Sequence, residues 1–152
     1  MGYYGDEAEA TKAYLYYPTG IAVDSAGVIY IADTYNHVIR KVTTDGKVDT
    51  YAGDNTAGSK GDGGKAAEAR LRYPTGLAFD SAGNLYIADS INSTVRKLVL
   101  SSGQVTTIAG TAGQSGHLDD RGPAARFQNP TPLALDGAGN LFVTDLDNTI
   151  RK

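Results

Sequence analysis

The sequence predicts an all-β propeller built from four-stranded antiparallel blades, three to the chain, and three observations carry that prediction. The stretch YPTGIAVDSAGVIYIAD from Tyr17 returns as YPTGLAFDSAGNLYIAD from Tyr73 and as NPTPLALDGAGNLFVTD from Asn129. The spacing is constant, since Pro74 minus Pro18 and Pro130 minus Pro74 both equal 56, close to the periods of propeller arrays. Within each repeat the apolar residues fall into short alternating runs separated by Gly- and Asp-bearing turns, the pattern of a turn-dense all-β chain.

Each strand of a blade is legible in the first repeat. Ile21 and Val23 alternate with Ala22, the period of a strand, and Asp24-Ser25-Ala26-Gly27 supplies a turn. The run from Val28 to Ala32 is β-branched and aromatic, as expected of a strand covered on both faces. A turn at Asp33 to His37 leads to a third strand, Val38 to Val42, where Arg40-Lys41 reads as a solvated edge. After Thr44-Asp45-Gly46-Lys47 the run Val48 to Gly53 forms the fourth strand, with Val105 to Gly110 as its counterpart. Long Gly-rich segments, Gly53 to Pro74 and Gly110 to Pro130, then cross to the next blade and end in an Ala-rich single helical turn.

Composition narrows the function. The 152 residues form one domain, 1–152, with repeats at about 17–53, 73–110 and 129–152. A net charge of −3 leaves no global positive field for a phosphate backbone, so nucleic acid is not an expected partner. No apolar run approaches the ~18 residues that mark a spanning helix, and the acidic, polar start MGYYGDEAEATK does not resemble a signal peptide, so no membrane partner is expected. With no cysteine, disulfides, thiolate chemistry and Cys-bound zinc are all excluded, and the compartment stays open.

The pattern P-x-G-[IL]-A-x-D-x-x-G-[NV]-[IL]-Y-[IV]-A-D-x-x-N-x-x-[IV]-R-K, carried by Pro18–Lys41 and Pro74–Lys97 with 15 of 24 positions identical, resembles the NHL repeat. Gly61 to Gly64 resembles the long-loop bacterial variety of that repeat. The resemblance implies a β-propeller, usually of six blades. Repeat three departs from the pattern, with Pro132 for Gly20 and Gly76, Thr144 for Ala32 and Ala88, and one residue fewer between Asn148 and Lys152. The repeat asparagine is read as Asn36, Asn92 and Asn148.

Three blades cannot bend into a ring alone, so a homodimer giving six blades is expected. The segment Gly2-Tyr3-Tyr4-Gly5-Asp6 aligns with Thr50 to Asp54 and is expected to serve as a closing strand. A fragment excised from a longer propeller is the alternative.

Candidate sites are few. Asp24, Asp80 and Asp136, with Asp33, Asp89 and Asp145, recur at turn positions in every repeat, which points to backbone capping and not to acid–base chemistry. His37 and His117 are too few for a zinc shell, and no cofactor, metal or catalytic residue is expected. A small ligand or peptide is expected instead at the channel mouth, on the face shared by the long loops and the turns between the second and third strands. Tyr17, Thr19, Tyr35 and His37 would stand there from repeat one, Tyr73, Thr75, Ile91 and Ser93 from repeat two, and Thr131, Leu146 and Asp147 from repeat three. Tyrosines supply apolar area with a hydroxyl, which suits peptides or sugars. The expected function is a non-enzymatic scaffold or binding module, a minimal half-propeller that self-assembles. The alternative is a fragment of a propeller enzyme, a metal-dependent hydrolase or lyase.

Overall fold

In the computed structural model, which describes residues 5–152, the chain forms three antiparallel sheets packed face to face in sequence order. The first sheet contains β1 (Ala8–Glu9), β2 (Pro18–Val23), β3 (Ile29–Asp33), β4 (Val38–Val42) and β5 (Lys47–Ala52), in the spatial order β1-β5-β4-β3-β2. The second contains β6 (Pro74–Phe79), β7 (Asn84–Asp89), β8 (Thr94–Val99) and β9 (Gln104–Ala109), ordered as they follow in the chain. The third contains β10 (Leu133–Leu135), β11 (Leu141–Thr144) and β12 (Ile150–Arg151). Up-and-down sheets whose first strands lie side by side, as β2 lies on β6 and β6 on β10, make a propeller-like arrangement.

The turns form for the reason the sequence suggests. Asp24 Oδ1 accepts the backbone N–H groups of Ala26 and Val28, both at 2.9 Å, and Asp80 and Asp136 do the same for their own turns. Each closes the β-hairpin between the first two strands of its repeat, with Gly27, Gly83 and Gly139 at positive φ.

Packing between sheets is apolar. Tyr30 from the first sheet meets Phe79 of the second at 5.2 Å and Tyr51 at 5.4 Å, edge to face, above a layer holding Ile39, Leu85, Ile87 and Leu98. The crossing segment closes this layer from the side, with Ala66, Ala69 and Leu71 buried on and just after its 3-10 turn, Ala66–Glu68. Phe127, Val95 and Val143 repeat the arrangement between the second and third sheets. Large apolar side chains buried to this degree contribute about 1.5–3 kcal/mol each, so the sheets are held mainly through their faces.

Two sequence expectations are corrected. The first concerns Gly5 and Asp6, which do not match Gly53 and Asp54. They occupy the places of Gly61 and Asp62: Glu7 N–H bonds Val48 O at 2.9 Å as Gly63 N–H bonds Val105 O at 2.8 Å. A Cβ on Gly5 would lie 2.9 Å from Ala13 Cα, and one on Gly61 would lie 2.6 Å from Ala69 Cα. The start of the chain is thus a crossing segment that adds β1 to the outer edge of its own sheet through Ala8↔Val48 and Glu9↔Lys47. The rest of the expected closing strand, residues 2–4, lies outside the described residues.

The second correction concerns the basic stripe. Arg40 and Arg96 are not solvated edge residues but are 0% and 1% exposed. Arg40 reaches Asp6 at 2.6 Å and Asp33 at 3.7 Å; Arg96 reaches Asp62 at 2.5 Å and Asp89 at 4.0 Å. Arg151 repeats the pattern with Asp119 at 3.3 Å and Asp145 at 4.0 Å. Each arginine ties a strand to an aspartate of the crossing segment and to the aspartate that ends the preceding strand, and a guanidinium supplies the fork such a double contact needs. Nothing in a linear sequence marks that crossing-segment aspartate as its partner.

Candidate functional site

The end of the molecule that carries the turns after β3 and β7 is built by a second set of aspartates. Asp33 ends β3 and sends Oδ1 to Tyr16 N–H at 2.7 Å, while Asp89 takes Arg72 N–H at 2.6 Å and Asp145 takes Gln128 N–H at 2.7 Å. In the first two repeats the other carboxylate oxygen accepts the amide of Asn36 or Asn92, at 2.8 and 2.7 Å. These carboxylates therefore lock the last residues of each crossing segment against the turn, as backbone capping predicts. Burial is the main cause that pushes Asp89 up to about 7, opposed by the Arg72 N–H, Asn92 and Arg96.

That lock sets the next residue in an unusual conformation. Tyr17 (φ 48°), Tyr73 (φ 53°) and Asn129 (φ 61°) all lie in the left-handed region, each directly before a proline. Asparagine tolerates this conformation, whereas for a bulky side chain it is an outlier.

Five aromatic rings meet at this end. Tyr35 stands at the centre, 4.8 Å from Tyr17, 5.1 Å from Tyr16 and 5.0 Å from Tyr73, and Tyr73 lies 4.6 Å from His37. Tyr17 and Tyr35 remain 66% and 44% exposed. The His37 ring is fixed by Tyr73, whose N–H donates to Nδ1 at 3.2 Å, so Nδ1 carries no proton. Desolvation, then the Arg72 charge, lowers its pKa from the ordinary value and keeps it neutral.

The aromatic cluster breaks the repeat. At the positions of Tyr16, Tyr17, Tyr35 and Tyr73 one repeat later stand Arg72, Tyr73, Ile91 and Asn129, so the rings are confined to the first sheet and its junction with the second.

The remaining expected residues divide. Thr19, Thr75 and Thr131 line an axial groove of about 410 Å³ with Gly20, Gly76 and Pro132. The first two hydroxyls are engaged: Thr19 with Thr34 at 2.7 Å and Thr75 with Ser90 at 2.6 Å. Ile91 and Leu146 are exposed beside the tyrosines' end, whereas Ser93 is 2% exposed and presents nothing to a ligand. The structure does not bring Asp147 to the aromatic cluster. It bonds His117 Nδ1 at 2.7 Å and Arg151 at 3.0 Å in a separate cluster of the third repeat.

The short turn explains that departure. Leu146 N–H donates to Gln128 O as Tyr35 and Ile91 N–H donate to Tyr16 O and Arg72 O, so the missing residue is the counterpart of Thr34 and Ser90. Asn148 (φ 65°) consequently fills the left-handed place of His37 and Ser93, and Asp147 that of Asn36 and Asn92, which corrects the reading of Asn148 as the repeat asparagine. Tyr16 is the site residue that sequence reasoning missed, although its position two residues before a repeat proline was a usable signal. Among the described residues no group of three His, Asp or Glu is placed to hold a metal ion, and no helix is long and apolar enough to cross a membrane.

Comparison with known proteins agrees with this architecture. The family model of the teneurin NHL domain matches residues 2–60 and again residues 54–118. The chloroplastic protein Suppressor of quenching 1 of Arabidopsis thaliana is 32% identical over 141 residues, which cover 88% of this chain and 13% of that protein. The chain thus spans a small part of that relative.

Among solved structures, a protein of unknown function from Bacteroides thetaiotaomicron superimposes with a TM-score of 0.74 at 28% identity, covering 82% of this chain and 31% of that one. An auxiliary nutrient binding protein from Bacteroides ovatus gives 0.69 at 25% identity, covering 87% and 37%. A streptogramin B lyase, at 15% identity and a TM-score of 0.58 over 86% of this chain and 35% of that one, shares the fold alone. The repeat motif, the three propeller-like sheets and the double match of the family model lead to one conclusion: the chain belongs to the NHL-repeat family.

Proposed function

We propose that the chain is a non-enzymatic binding module whose tyrosine-bearing end recognises a carbohydrate, in a ring completed by a second copy. One observation carries the binding reading. Tyr17 and Tyr73 are held in a backbone conformation that costs a bulky residue about 1–3 kcal/mol, at a position the third repeat fills with Asn129. The fold therefore has a less strained solution to hand, and the tyrosines persist with Tyr17 exposed and Tyr73 half-buried against Tyr35 and His37. Aromatic faces with hydroxyl tips suit the apolar faces and hydroxyl rims of sugars. The Bacteroides ovatus neighbour, an auxiliary nutrient binding protein, is in keeping with this.

The chemical groups at this end favour binding over catalysis. Asp33 and Asp89 are committed to backbone N–H groups, and His37 Nδ1 is committed to Tyr73, so none is free to move a proton for a substrate. Ring completion is supported by the outer face of the first sheet. Ile21 and Val23 stand 65% and 55% exposed in the places of Leu77 and Phe79. Exposed apolar faces of this kind mark association surfaces.

The chain has no tryptophan, so its fluorescence is tyrosyl, and four of its ten tyrosines stand in the cluster. Titration with neutral oligosaccharides is expected to give a saturable change that Tyr35→Ala abolishes. A panel without response, or a response only to a proline-rich peptide, refutes the carbohydrate reading. Light scattering across a tenfold dilution tests the second copy, with a stable dimer expected.

A further inference from the structure

Two junctions join the three sheets, and both depend on a glycine. A Cβ built on Gly20 would lie 1.9 Å from Thr75 O of the second sheet, and one built on Gly76 would lie 2.1 Å from Thr131 O of the third. Any side chain there must drive the neighbouring backbone away, since the obstructing atoms are a main-chain carbonyl and, behind it, further main chain.

The same junctions are tied by hydroxyls. Thr34 Oγ1 donates to Pro74 O at 2.8 Å and Ser90 Oγ to Pro130 O at 2.5 Å, and each of these hydroxyls in turn accepts from Thr19 or Thr75 of its own sheet, at 2.7 and 2.6 Å.

On the outward face of the third sheet both devices are gone. The residue in register with Gly20 and Gly76 is Pro132, which carries a Cβ and a ring, is exposed and lies in the axial groove. The turn that follows lacks the counterpart of Thr34 and Ser90, and Thr144 turns its hydroxyl to Thr131 Oγ1 at 3.2 Å and to Pro132 O at 3.5 Å, within its own sheet. The two changes are independent in sequence and act on one junction.

We infer that Pro132 is a spacer: the sheet that docks on the third blade, the first blade of a second copy, seats farther from the axis side than the blades within the chain do. The inference rests on the ring reading above. The occupant follows from continuity. Phe142 stands where Tyr30 and Tyr86 stand, and Val23 of a second copy would present to it the face that Phe79 presents to Tyr30. Ile150 and Ile21 complete the apolar match, while the axial edge meets at Pro132 without a glycine contact or a hydroxyl tie. The seam between copies is consequently the weakest junction of the ring.

Two variants test this. Pro132→Gly removes the obstruction, and its dimer is expected to survive to about tenfold lower concentration than the wild type in light scattering. Equal or earlier dissociation overturns the spacer while a dimeric wild type leaves the ring reading intact. A wild type that stays monomeric beside a Pro132→Gly dimer overturns the ring reading for the natural sequence and keeps the spacer; two monomers overturn both. Gly76→Ala places the obstruction inside the chain and needs no dimer. It is expected to lower Tm, whereas Gly137→Ala, which meets open space, is not. Equal melting of Gly76→Ala and Gly137→Ala would remove the physical premise.

Discussion

Replacing Tyr17 with asparagine separates a tyrosine kept for binding from one kept for packing. Its φ of 48° is shared in the third repeat by Asn129 at 61°, so the backbone needs no change to accept the substitution. Relief of left-handed strain on a bulky residue is worth about 1–2 kcal/mol. Against it stand the ring contacts with Tyr35 at 4.8 Å and Tyr16 at 5.4 Å, and aromatic pairs contribute about 0.5–1.5 kcal/mol beyond area burial. Because Tyr17 is 66% exposed, little apolar burial is lost besides. The terms nearly cancel, and stability should change by less than about 1 kcal/mol, a Tm shift within about 4 °C for a chain of this length. Urea unfolding followed by circular dichroism, read at the midpoint with an unchanged slope, measures it. Saturable binding in the oligosaccharide titration should be lost in the same variant. A loss of more than about 2 kcal/mol would mean that the ring holds the fold, and the argument from strain would fail.

Above about pH 7, where Asp89 is ionised, Arg96→Met should cost about 3–5 kcal/mol, because it leaves that carboxylate, 0% exposed, without its cation. Asp62→Asn should cost well under that, since Asp62 is 46% exposed; chemical denaturation of the two variants checks the asymmetry. Asp89 is raised from 3.8 to about 7, so its contribution is full below pH 3.8 and is lost as pH rises through about 7. Asp89→Asn should flatten that part of the stability profile. His37 has the opposite sign: its pKa is lowered below 6.5, so its contribution is present above pH 6.5 and falls as the ring protonates. Acid should then break the Tyr73 N–H bond to Nδ1, and a stability profile of His37→Gln should lack that decline.

How much was legible in the sequence depends on the range of the interaction concerned. The alternation in Ile21 to Val23, the Asp24 turn and the Val28 to Ala32 run are local, and local physics sets strand, hairpin and order, so those elements stand where the residues place them. Repetition at a constant period then implies stacked copies of one unit, because such a unit cannot bury its faces alone. Arg40 and Arg96 looked like surface charge because their partners, Asp6 and Asp62, lie 34 residues away in both cases. Ser93 and Asp147 sat at the right place in the repeat, yet burial removed one and a shortened turn carried the other to His117.

Sequence by itself determined the repeat, the four-strand order and the turn aspartates, since each is encoded within a few residues. Only the tertiary structure decided that Tyr16, Tyr17, Tyr35, Tyr73 and His37 form one cluster, that the start of the chain is a crossing segment, and that Gly20 and Gly76 face carbonyls where Pro132 faces none. Those facts depend on distances across sheets, which arise only when the sheets stack.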